Sequence, residues 1–449
     1  MKIVIIGAGE VGRHLCQQLS MEEHDVILVD RNPQKLQRAE ADLNIMTVEG
    51  NGASARILDE IGTAKADLFI AVTNIDEVNL IACLLAKEFG ASKRIARVRS
   101  EEYITSSYPI DEKQLGIDLI INPDMAMADE IMKVSRLGAG FEMVDFAHGD
   151  VIIVGYRISE GNPLCGMSLQ EIKNLKELYD FVIVAIVRND HTIIPRGEDT
   201  IRPGDRAYFV LKRDNLSMVE ELLQIKNNPL KTVFILGGGS VGYQVARTME
   251  SENIEVFLIE QDPKRCEDLA EQLKSTVILN FDGLDARDLK QEGIENADLF
   301  VSVTGSDTTN ILSSLLAKHH GAKKTITRIS RPDFIPLLGN LGIDVALSSR
   351  LVAANMILRF VRRGIIVSAA ALLGTAAEAM EFLASERWTY INKQLKEIPF
   401  PKGTIVAAIV RRDGEVIIPS GDTQVLPGDR LIIFSKRDTT VKIEKLLSL

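Results

Sequence analysis

The stretch Lys2-Ile3-Val4-Ile5-Ile6-Gly7-Ala8-Gly9-Glu10-Val11-Gly12 decides the fold of this chain. Its first five residues predict a buried strand, because four of them are β-branched and apolar. A Gly-x-Gly-x-x-Gly turn follows at once. Val11, Leu15 and Leu19 then recur every four residues, so a helix begins inside the turn.

This strand, turn and helix predict a cradle for a pyrophosphate. Gly7 permits the tight turn, Gly9 lets the backbone approach the phosphates, and Gly12 lets helix and strand pack closely. The helix N-terminus offers N–H groups and a partial positive charge to the anion. A second strand ends at Asp30, where an acid can accept both hydroxyls of an adenosine ribose. The predicted residues of this first site are Gly7, Ala8, Gly9, Glu10, Val11, Gly12, Asp30 and Arg31.

The same unit occurs a second time, which chance does not produce. Thr232-Val233-Phe234-Ile235-Leu236-Gly237-Gly238-Gly239-Ser240-Val241-Gly242 restates the first stretch, and a strand ending at Glu260 restates the second strand. The predicted residues of the second site are Gly237, Gly238, Gly239, Ser240, Val241, Gly242, Glu260 and Gln261.

Composition excludes several classes of protein. The net charge of −11 over 449 residues argues against nucleic acid and against adhesion to anionic lipid by bulk charge. The four cysteines form no Cys-x-x-Cys pair, so neither a zinc site nor a disulfide framework is expected. We expect no signal peptide and no transmembrane span, since the apolar stretch from Gly364 to Ala377 is too short. Any membrane role must therefore go through a partner.

Internal repetition organises the rest of the chain. Asp67-Leu68-Phe69-Ile70-Ala71-Val72-Thr73 matches Asp298-Leu299-Phe300-Val301-Ser302-Val303-Thr304, and Arg97 matches Arg328. Strands near 2–6, 25–30, 45–49, 67–72, 94–98 and 118–121 make six, the number in a Rossmann sheet. We predict an α/β fold with two doubly wound parallel-sheet Rossmann lobes, each followed by a small α+β lobe. The predicted boundaries are 1–140, 141–225, 231–364 and 365–449.

Three features complete this layout. The polar run 226–231 is the predicted linker between the halves, and the Pro-Gly-Asp-Arg turns at 203–206 and 427–430 are most simply hairpin turns. Helix-prone stretches at 123–137 and 349–363 end the Rossmann lobes. Each either packs outward against another subunit or covers its own sheet, and the sequence leaves both alternatives open.

A dinucleotide fold suggests a dehydrogenase, but the expected chemistry is missing. Hydride transfer needs a positioned acid or base. None of the six histidines recurs in the other repeat, although the glycines do. Tyr208 and Lys212 satisfy Tyr-x-x-x-Lys, yet that pair needs a helix and here lies in a predicted strand.

With these repeats and motifs, the whole chain resembles the peripheral, nucleotide-binding subunits of the Trk-type potassium uptake system, built from tandem regulator-of-potassium-conductance domains. The resemblance implies a non-enzymatic ring beneath a membrane potassium transporter, whose shape responds to bound nucleotide. It also implies further site residues, namely Asn51, Thr73, Asn74, Asp76 and Arg97 in the first copy and Asp282, Thr304 and Arg328 in the second.

The two copies differ where the family commonly has Gly-Asp after the third strand. The first copy reads Gly50-Asn51, so the acid that would face the adenosine is missing there, whereas the second keeps Asp282. Arg97 and Arg99 are two residues apart and are predicted to share one strand face and to bind a terminal phosphate. The alternative is that they pair with surface acids such as Glu101 or Glu102. The second copy has Ser330 in place of the second arginine, which predicts a ligand of lower charge or weaker discrimination.

The sequence therefore predicts a regulatory subunit that binds NAD(H), with ATP or ADP possible at the same sites, and gates a membrane potassium transporter. We expect a homo-oligomer, either a dimer or a tetrameric ring, on the cytoplasmic face of the membrane. An NAD-dependent oxidoreductase with accessory domains is the alternative.

Overall fold

Four β-sheets, two parallel and two antiparallel, make up the chain. The computed structural model describes every residue except 23, 104–113, 175–179, 190, 226–228, 362–365, 373–374, 376, 437–438 and 448–449. Half of the predicted linker, residues 226–228, and the end of the second helix-prone stretch, 362–363, lie outside the described residues.

The first lobe is a six-stranded parallel sheet in the order β3-β2-β1-β4-β5-β6, which is the Rossmann order. Its elements are β1 (Lys2–Ile6), α1 (Glu10–Met21), β2 (Asp25–Asp30), α2 (Pro33–Asp42), β3 (Met46–Glu49), α3 (Ala55–Glu60), β4 (Leu68–Ala71), α4 (Asp76–Phe89), β5 (Arg94–Arg97), β6 (Leu119–Ile121) and α5 (Pro123–Ser135). Helices cover both faces of the sheet, and for that reason β1 and β4 are buried apolar runs.

Two small lobes follow the Rossmann lobes and carry five-stranded antiparallel sheets. The elements of the first are β7 (Gly140–Phe146), β8 (Val151–Arg157), α6 (Leu169–Asn174), β9 (Phe181–Arg188), β10 (His191–Ile193), β11 (Arg206–Lys212) and α7 (Leu216–Leu222).

The second Rossmann lobe repeats the first, with strand order β14-β13-β12-β15-β16-β17. Its elements are β12 (Thr232–Leu236), α8 (Ser240–Ser251), β13 (Glu255–Glu260), α9 (Pro263–Gln272), β14 (Val277–Asn280), α10 (Ala286–Gln291), β15 (Leu299–Ser302), α11 (Asp307–His319), β16 (Lys324–Ile329), α12 (Ile335–Asn340), β17 (Val345–Ser348) and α13 (Ser349–Val361). The elements of the second small lobe are β18 (Ile366–Ala371), β19 (Ala377–Leu383), β20 (Thr404–Val410), β21 (Val416–Ile417), β22 (Arg430–Lys436) and α14 (Thr440–Leu447). The predicted fold class is confirmed.

The Pro-Gly-Asp-Arg turns are not hairpin turns, and that prediction was wrong. The turn at 203–206 leads into β11, but the preceding strand β10 pairs with β9 instead of β11. The buried carboxylate of Asp205 accepts hydrogen bonds from Nε and Nη2 of Arg188 at 2.8 and 2.7 Å. In the second small lobe, the buried carboxylate of Asp429 accepts a hydrogen bond from Nη1 of Arg411. The motif therefore holds a buried ion pair that ties the turn to the neighbouring strand.

Helix α13, which ends the second Rossmann lobe in sequence, has a different arrangement from both alternatives left by the sequence. The chain divides into two compact units, of which the first comprises Met1–Asp129, Ser330–Pro332 and Ser348–Val361. Helix α13 follows the second Rossmann sheet in sequence but packs on α1 of the first, with Ala354 and Ile357 in one core with Leu15 and Leu19. It therefore covers a sheet of the same chain, but the sheet of the other repeat.

Helix α5 ends in the second unit, where a buried lysine holds its C-terminus. Lys324, the first residue of β16, donates from Nζ to the carbonyl oxygens of Val134, Leu137 and Gly140 at 2.8, 2.6 and 3.0 Å. A cation is favoured there because the last carbonyls of a helix carry partial negative charge. Burial in turn lowers the pKa of Lys324 to about 7.

Within the parts of the chain that the structure describes, we find no helix whose length and apolar character would suit a membrane span.

Candidate nucleotide-binding sites

The first glycine turn brings the start of α1 directly against the end of β1. Gly7 has a φ of +108°, which L side chains rarely adopt, and its N–H donates to the carbonyl of Val29 at 2.8 Å. A Cβ built on Gly12 would lie 1.9 Å from the carbonyl oxygen of Gly7, so only glycine fits at this contact. These two glycines are required by the protein itself.

Gly9 differs from Gly7 and Gly12, because neither its backbone angles nor its described neighbours require a glycine. Its φ of −73° and ψ of −174° suit any residue, and a Cβ built there meets no atom within 4 Å. Among the described residues, no side chain caps the N-terminus of α1, so its first N–H groups have no side-chain acceptor from the cap position. A bare backbone at a helix N-terminus is the arrangement that receives a phosphate group.

Asp30 lies at the end of β2 and is tied to the glycine turn. Its carboxylate accepts hydrogen bonds from the N–H of Ala8 at 2.6 Å and of Asn32 at 2.8 Å. Glu260 makes the equivalent bonds in the second lobe, from Gly238 at 2.8 Å and Asp262 at 3.0 Å. A carboxylate has about four acceptor positions, so each acid is held in place and can still accept ribose hydroxyls.

A buried asparagine organises the loop after β4. Asn79 accepts from the N–H and hydroxyl of Thr73 at 2.9 and 2.7 Å, and donates to the carbonyls of Thr73 and Arg97 at 3.1 and 2.8 Å. Asn310 repeats all four bonds with Thr304 and Arg328, at 2.8, 2.7, 3.0 and 3.0 Å. The carboxyl ends of β4 and β5 in the first lobe, and of β15 and β16 in the second, are thus fixed in the same way.

The structure corrects the prediction that Arg97 and Arg99 share a strand face. Strand β5 ends at Arg97, whose guanidinium is buried and donates to the Thr73 carbonyl at 3.3 Å and the Asn74 amide oxygen at 3.0 Å. Its Nε is buried without a hydrogen-bond partner. Burial, and after it the charge of Arg99, lowers the pKa of Arg97.

Arg99 lies beyond the strand, half-exposed, with its Nε 3.9 Å from the carboxylate of Asp124. Asp124 is neither of the two acids predicted for this pairing, Glu101 and Glu102. The carboxylate of Asp76, a predicted site residue, accepts from the N–H of Arg99 and of Ser100, both at 2.8 Å. Asp76 therefore shapes the loop that carries Arg99.

A cavity of about 190 Å³ gathers many of the predicted residues of the first site. Its lining includes Gly7, Gly9, Asp30, Arg31, Asn51, Thr73 and Asn74. The other predicted residues, Ala8, Glu10, Val11, Gly12, Asp76, Arg97 and Arg99, do not line it.

Lys35 also lines this cavity and was missed by sequence reasoning. The internal repeat could have identified Lys35, because the equivalent residue in the second copy is also basic. That residue is Arg265, whose Nε donates to the carbonyl of Gly238 in the second glycine turn at 2.8 Å.

The second site repeats the geometry of the first. Gly237 has a φ of +107°, a Cβ on Gly242 would lie 1.9 Å from the Gly237 oxygen, and Gly239 faces open space. The turn continues through Ser240 and Val241 into α8, and Gln261 follows Glu260 where Arg31 follows Asp30.

The exchange of Asn51 for Asp282 changes charge and leaves the loop intact. The side-chain oxygen of Asn51 accepts from the N–H of Ala53 at 3.1 Å, and that of Asp282 accepts from the N–H of Leu284 at 3.0 Å. Both residues close the same Asx turn. The first site therefore lacks one negative charge that the second site has.

The Tyr208 and Lys212 pair is not built for proton transfer. Both residues lie on β11, and the phenol of Tyr208 is fully buried. Burial, together with the nearby carboxylate of Glu142, raises the pKa of Tyr208 well above its usual range. Lys212 is directed to Asp214, 3.0 Å away.

Comparison with known proteins agrees with this duplicated architecture. The TrkA-N domain family matches residues 3–123 and 233–349, and the TrkA-C domain family matches residues 153–224 and 380–448. Trk system potassium uptake protein TrkA homolog 1 of Methanosarcina mazei is 38% identical over 455 residues, covering 99% of each chain.

Two solved structures share the fold. The GsuK channel bound to NAD matches with a TM-score of 0.61 and 18% identity, over 100% of this chain and 79% of that chain. The crystal structure of GsuK bound to ADP matches with a TM-score of 0.50 and 17% identity, over 80% of this chain and 69% of that chain.

Proposed function

Because this chain belongs to the TrkA family of Trk-system potassium uptake proteins, we propose that it is a nucleotide-binding regulatory subunit that gates a membrane potassium transporter. Nucleotide bound at the two glycine turns would change the arrangement of the Rossmann lobes and so the activity of the transporter. A ligand shifts such an equilibrium only by binding the two arrangements with different affinities.

The observation that carries the proposal is the bond-for-bond repetition of the two sites. The hydrogen bonds of Asp30 recur at Glu260, and those of Asn79 recur at Asn310, with distances that agree within about 0.2 Å. The helix that follows each glycine turn also begins without a side-chain cap. These are features of a binding site. No histidine recurs between the two repeats of the sequence, so repetition has preserved binding and not acid–base chemistry.

NAD(H) and adenine nucleotides are the proposed ligands. Asp30 and Glu260 stand where an adenosine ribose presents its hydroxyls, and Arg31 and Lys35 favour an anionic ligand at the first site. The fold neighbours bound to NAD and to ADP support this choice of ligand class. A 2′-phosphate would meet the carboxylates of Asp30 and Glu260, which disfavours NADP.

A catalytic role is not part of the proposal. An NAD-dependent oxidoreductase needs a group that exchanges protons near neutral pH, and Tyr208 is buried with its pKa well raised. We propose further that the chain works as a homo-oligomer on the cytoplasmic face of the membrane, since its partner in potassium uptake must itself cross the bilayer.

The experiment is titration calorimetry of the purified full chain with NADH, NAD, ADP and ATP. It is then repeated with the Gly9→Ala and Gly239→Ala variants, which change the two glycine turns. Saturable binding at two sites per chain supports the proposal. Absence of binding by all four nucleotides at millimolar concentration would overturn it. Nucleotide-dependent hydride transfer to a carbonyl substrate would favour the oxidoreductase alternative.

A further inference from the structure

Helix α13 brings the second repeat against the start of α1, which follows the first glycine turn. Arg350 is its second residue, and Ala354 and Ile357 follow on the same face, one and two turns along. That face packs into the core around α1. The contact of Arg350 with Glu10 shows that both helices start at the carboxyl edge of the sheet, where open α/β folds bind ligands.

The charged end of Arg350 lies beside the glycine turn. Its Nη1 donates to a carboxylate oxygen of Glu10 at 2.7 Å, and Glu10 directly follows Gly9 in the phosphate cradle. The Arg350 side chain is 24% exposed and that of Glu10 is 70% exposed, so the guanidinium is the better anchored partner. The Nε of Arg350 is buried and has no hydrogen-bond partner among the described residues, which leaves part of its donor capacity unused there.

The position of Arg350 is unfavourable for its own helix. A cation in the first turn opposes the helix dipole, which favours acidic residues there, and the first turn of α13 holds none. The arginine is therefore better explained by what it faces than by the stability of α13. It faces Glu10, the residue that directly follows Gly9 in the glycine turn.

We propose that Arg350 binds the terminal phosphate of a nucleoside triphosphate at the first site and that Glu10 is its competing partner. This inference rests on the proposed nucleotide-binding function. A third phosphate extends beyond the pyrophosphate at the start of α1 and competes with the Glu10 carboxylate for the guanidinium. The second repeat thereby detects the charge of the ligand at the first repeat, through a residue 340 positions away in sequence.

The second site lacks both members of this pair. Ser240 occupies the position of Glu10, and α5, which is as long as α13, carries Asp124 at the position of Arg350. Selectivity for a triphosphate through the Arg350 and Glu10 pair is thus confined to the first site. The two sites would then report different nucleotides.

The test uses calorimetry of the full chain with ATP and with ADP, in a background where Gly239→Val blocks the second site. Gly239 has extended backbone angles, and a Cβ built there meets no described atom within 4 Å, so a β-branched side chain starts in open space and obstructs the ligand. Arg350→Gln should weaken ATP about tenfold and leave ADP unchanged, since one charge-assisted hydrogen bond is lost. Glu10→Gln should strengthen ATP binding, and the two effects should not add in the double variant.

Arg13→Gln is the matched control, because Arg13 lies one turn further along α1 and pairs with Asp42. It should alter neither affinity. Equal ATP-to-ADP ratios in the Arg350→Gln and unmodified proteins would overturn the inference, as would a loss of ATP selectivity in Arg99→Ala with none in Arg350→Gln. Failure of the unmodified chain to bind ATP and ADP while it binds NAD or NADH would overturn this inference alone. Failure to bind any of the four nucleotides would overturn the proposed function as well.

Discussion

Replacing Gly9 with alanine separates binding from folding. The backbone of Gly9, at φ −73° and ψ −174°, accepts an L-residue, and its Cβ would meet no protein atom within 4 Å. Reduced freedom of the unfolded chain gains about 0.4–1 kcal/mol for such a substitution. Alanine is a poorer N-cap than glycine by a similar amount, roughly 0.5–1 kcal/mol. The two terms offset each other, so the free energy of unfolding should change by less than about 1 kcal/mol.

Binding should respond strongly to the same methyl group. It would occupy the space in which a pyrophosphate approaches the backbone, and at least one charge-assisted hydrogen bond would be lost. Such a bond contributes about 1.5–3 kcal/mol, which corresponds to roughly 10- to 150-fold in affinity. Gly12→Ala is the contrasting variant, because its Cβ would lie 1.9 Å from the oxygen of Gly7. It should destabilise the lobe by about 3 kcal/mol or more.

Calorimetry with ADP and NADH measures the loss of nucleotide affinity. Urea unfolding without nucleotide measures the change in the free energy of unfolding. Gly239→Ala provides the same test at the second site, where the backbone angles and open space are alike. A double variant, Gly9→Ala with Gly239→Ala, that keeps the affinity of the unmodified protein at both sites would refute the assignment of the glycine turns as phosphate cradles.

Four further outcomes are expected. NAD should bind about tenfold or more tightly than NADP in calorimetry, since Asp30 and Glu260 would repel a 2′-phosphate, and tighter NADP would contradict this. Purified protein with NADH and a panel of carbonyl and hydroxy-acid substrates should show no absorbance change at the nicotinamide band, whereas turnover lost in Tyr208→Phe would overturn the regulatory assignment. Arg99→Ala should weaken ATP more than ADP by calorimetry and reduce ATP-dependent potassium flux through the partner, and an equal loss of both nucleotides with unchanged flux would exclude Arg99 as a triphosphate contact. Lys324→Met should lower the free energy of unfolding in urea by about 3 kcal/mol, because three buried carbonyls lose their donor, and a change below about 0.5 kcal/mol would contradict that role.

Much of the fold was predictable because buried parallel strands appear in the sequence as short apolar runs. The internal repeat shows the same runs a second time. The expected strand 45–49 is Met46–Glu49, and 118–121 is Leu119–Ile121. The packing partner of α13 was not predictable. An apolar helix face shows that a helix is buried but does not show against what, and here the partner is α1 of the other repeat.

In the candidate sites, too, local geometry was predictable from the sequence and tertiary contacts were not. The motif predicted that Gly7, Gly9 and Asp30 lie close together, and they line one cavity, because the spacing of a strand-turn-helix unit fixes their geometry locally. Arg350 could not be found this way, since its contact with Glu10 depends on a tertiary arrangement. The Pro-Gly-Asp-Arg turn was misread for a related reason, as turn residues do not determine which strands pair.

Potassium flux into vesicles that contain the membrane subunit of the same Trk system tests the central claim most directly. Flux is measured with and without the full-length chain, each with and without nucleotide, and with the Gly9→Ala and Gly239→Ala double variant as control. The proposed function predicts that nucleotide changes the flux only when the chain is present, and that the double variant abolishes this response. Flux that is the same with and without the chain, or a nucleotide response that survives in the double variant, would contradict it.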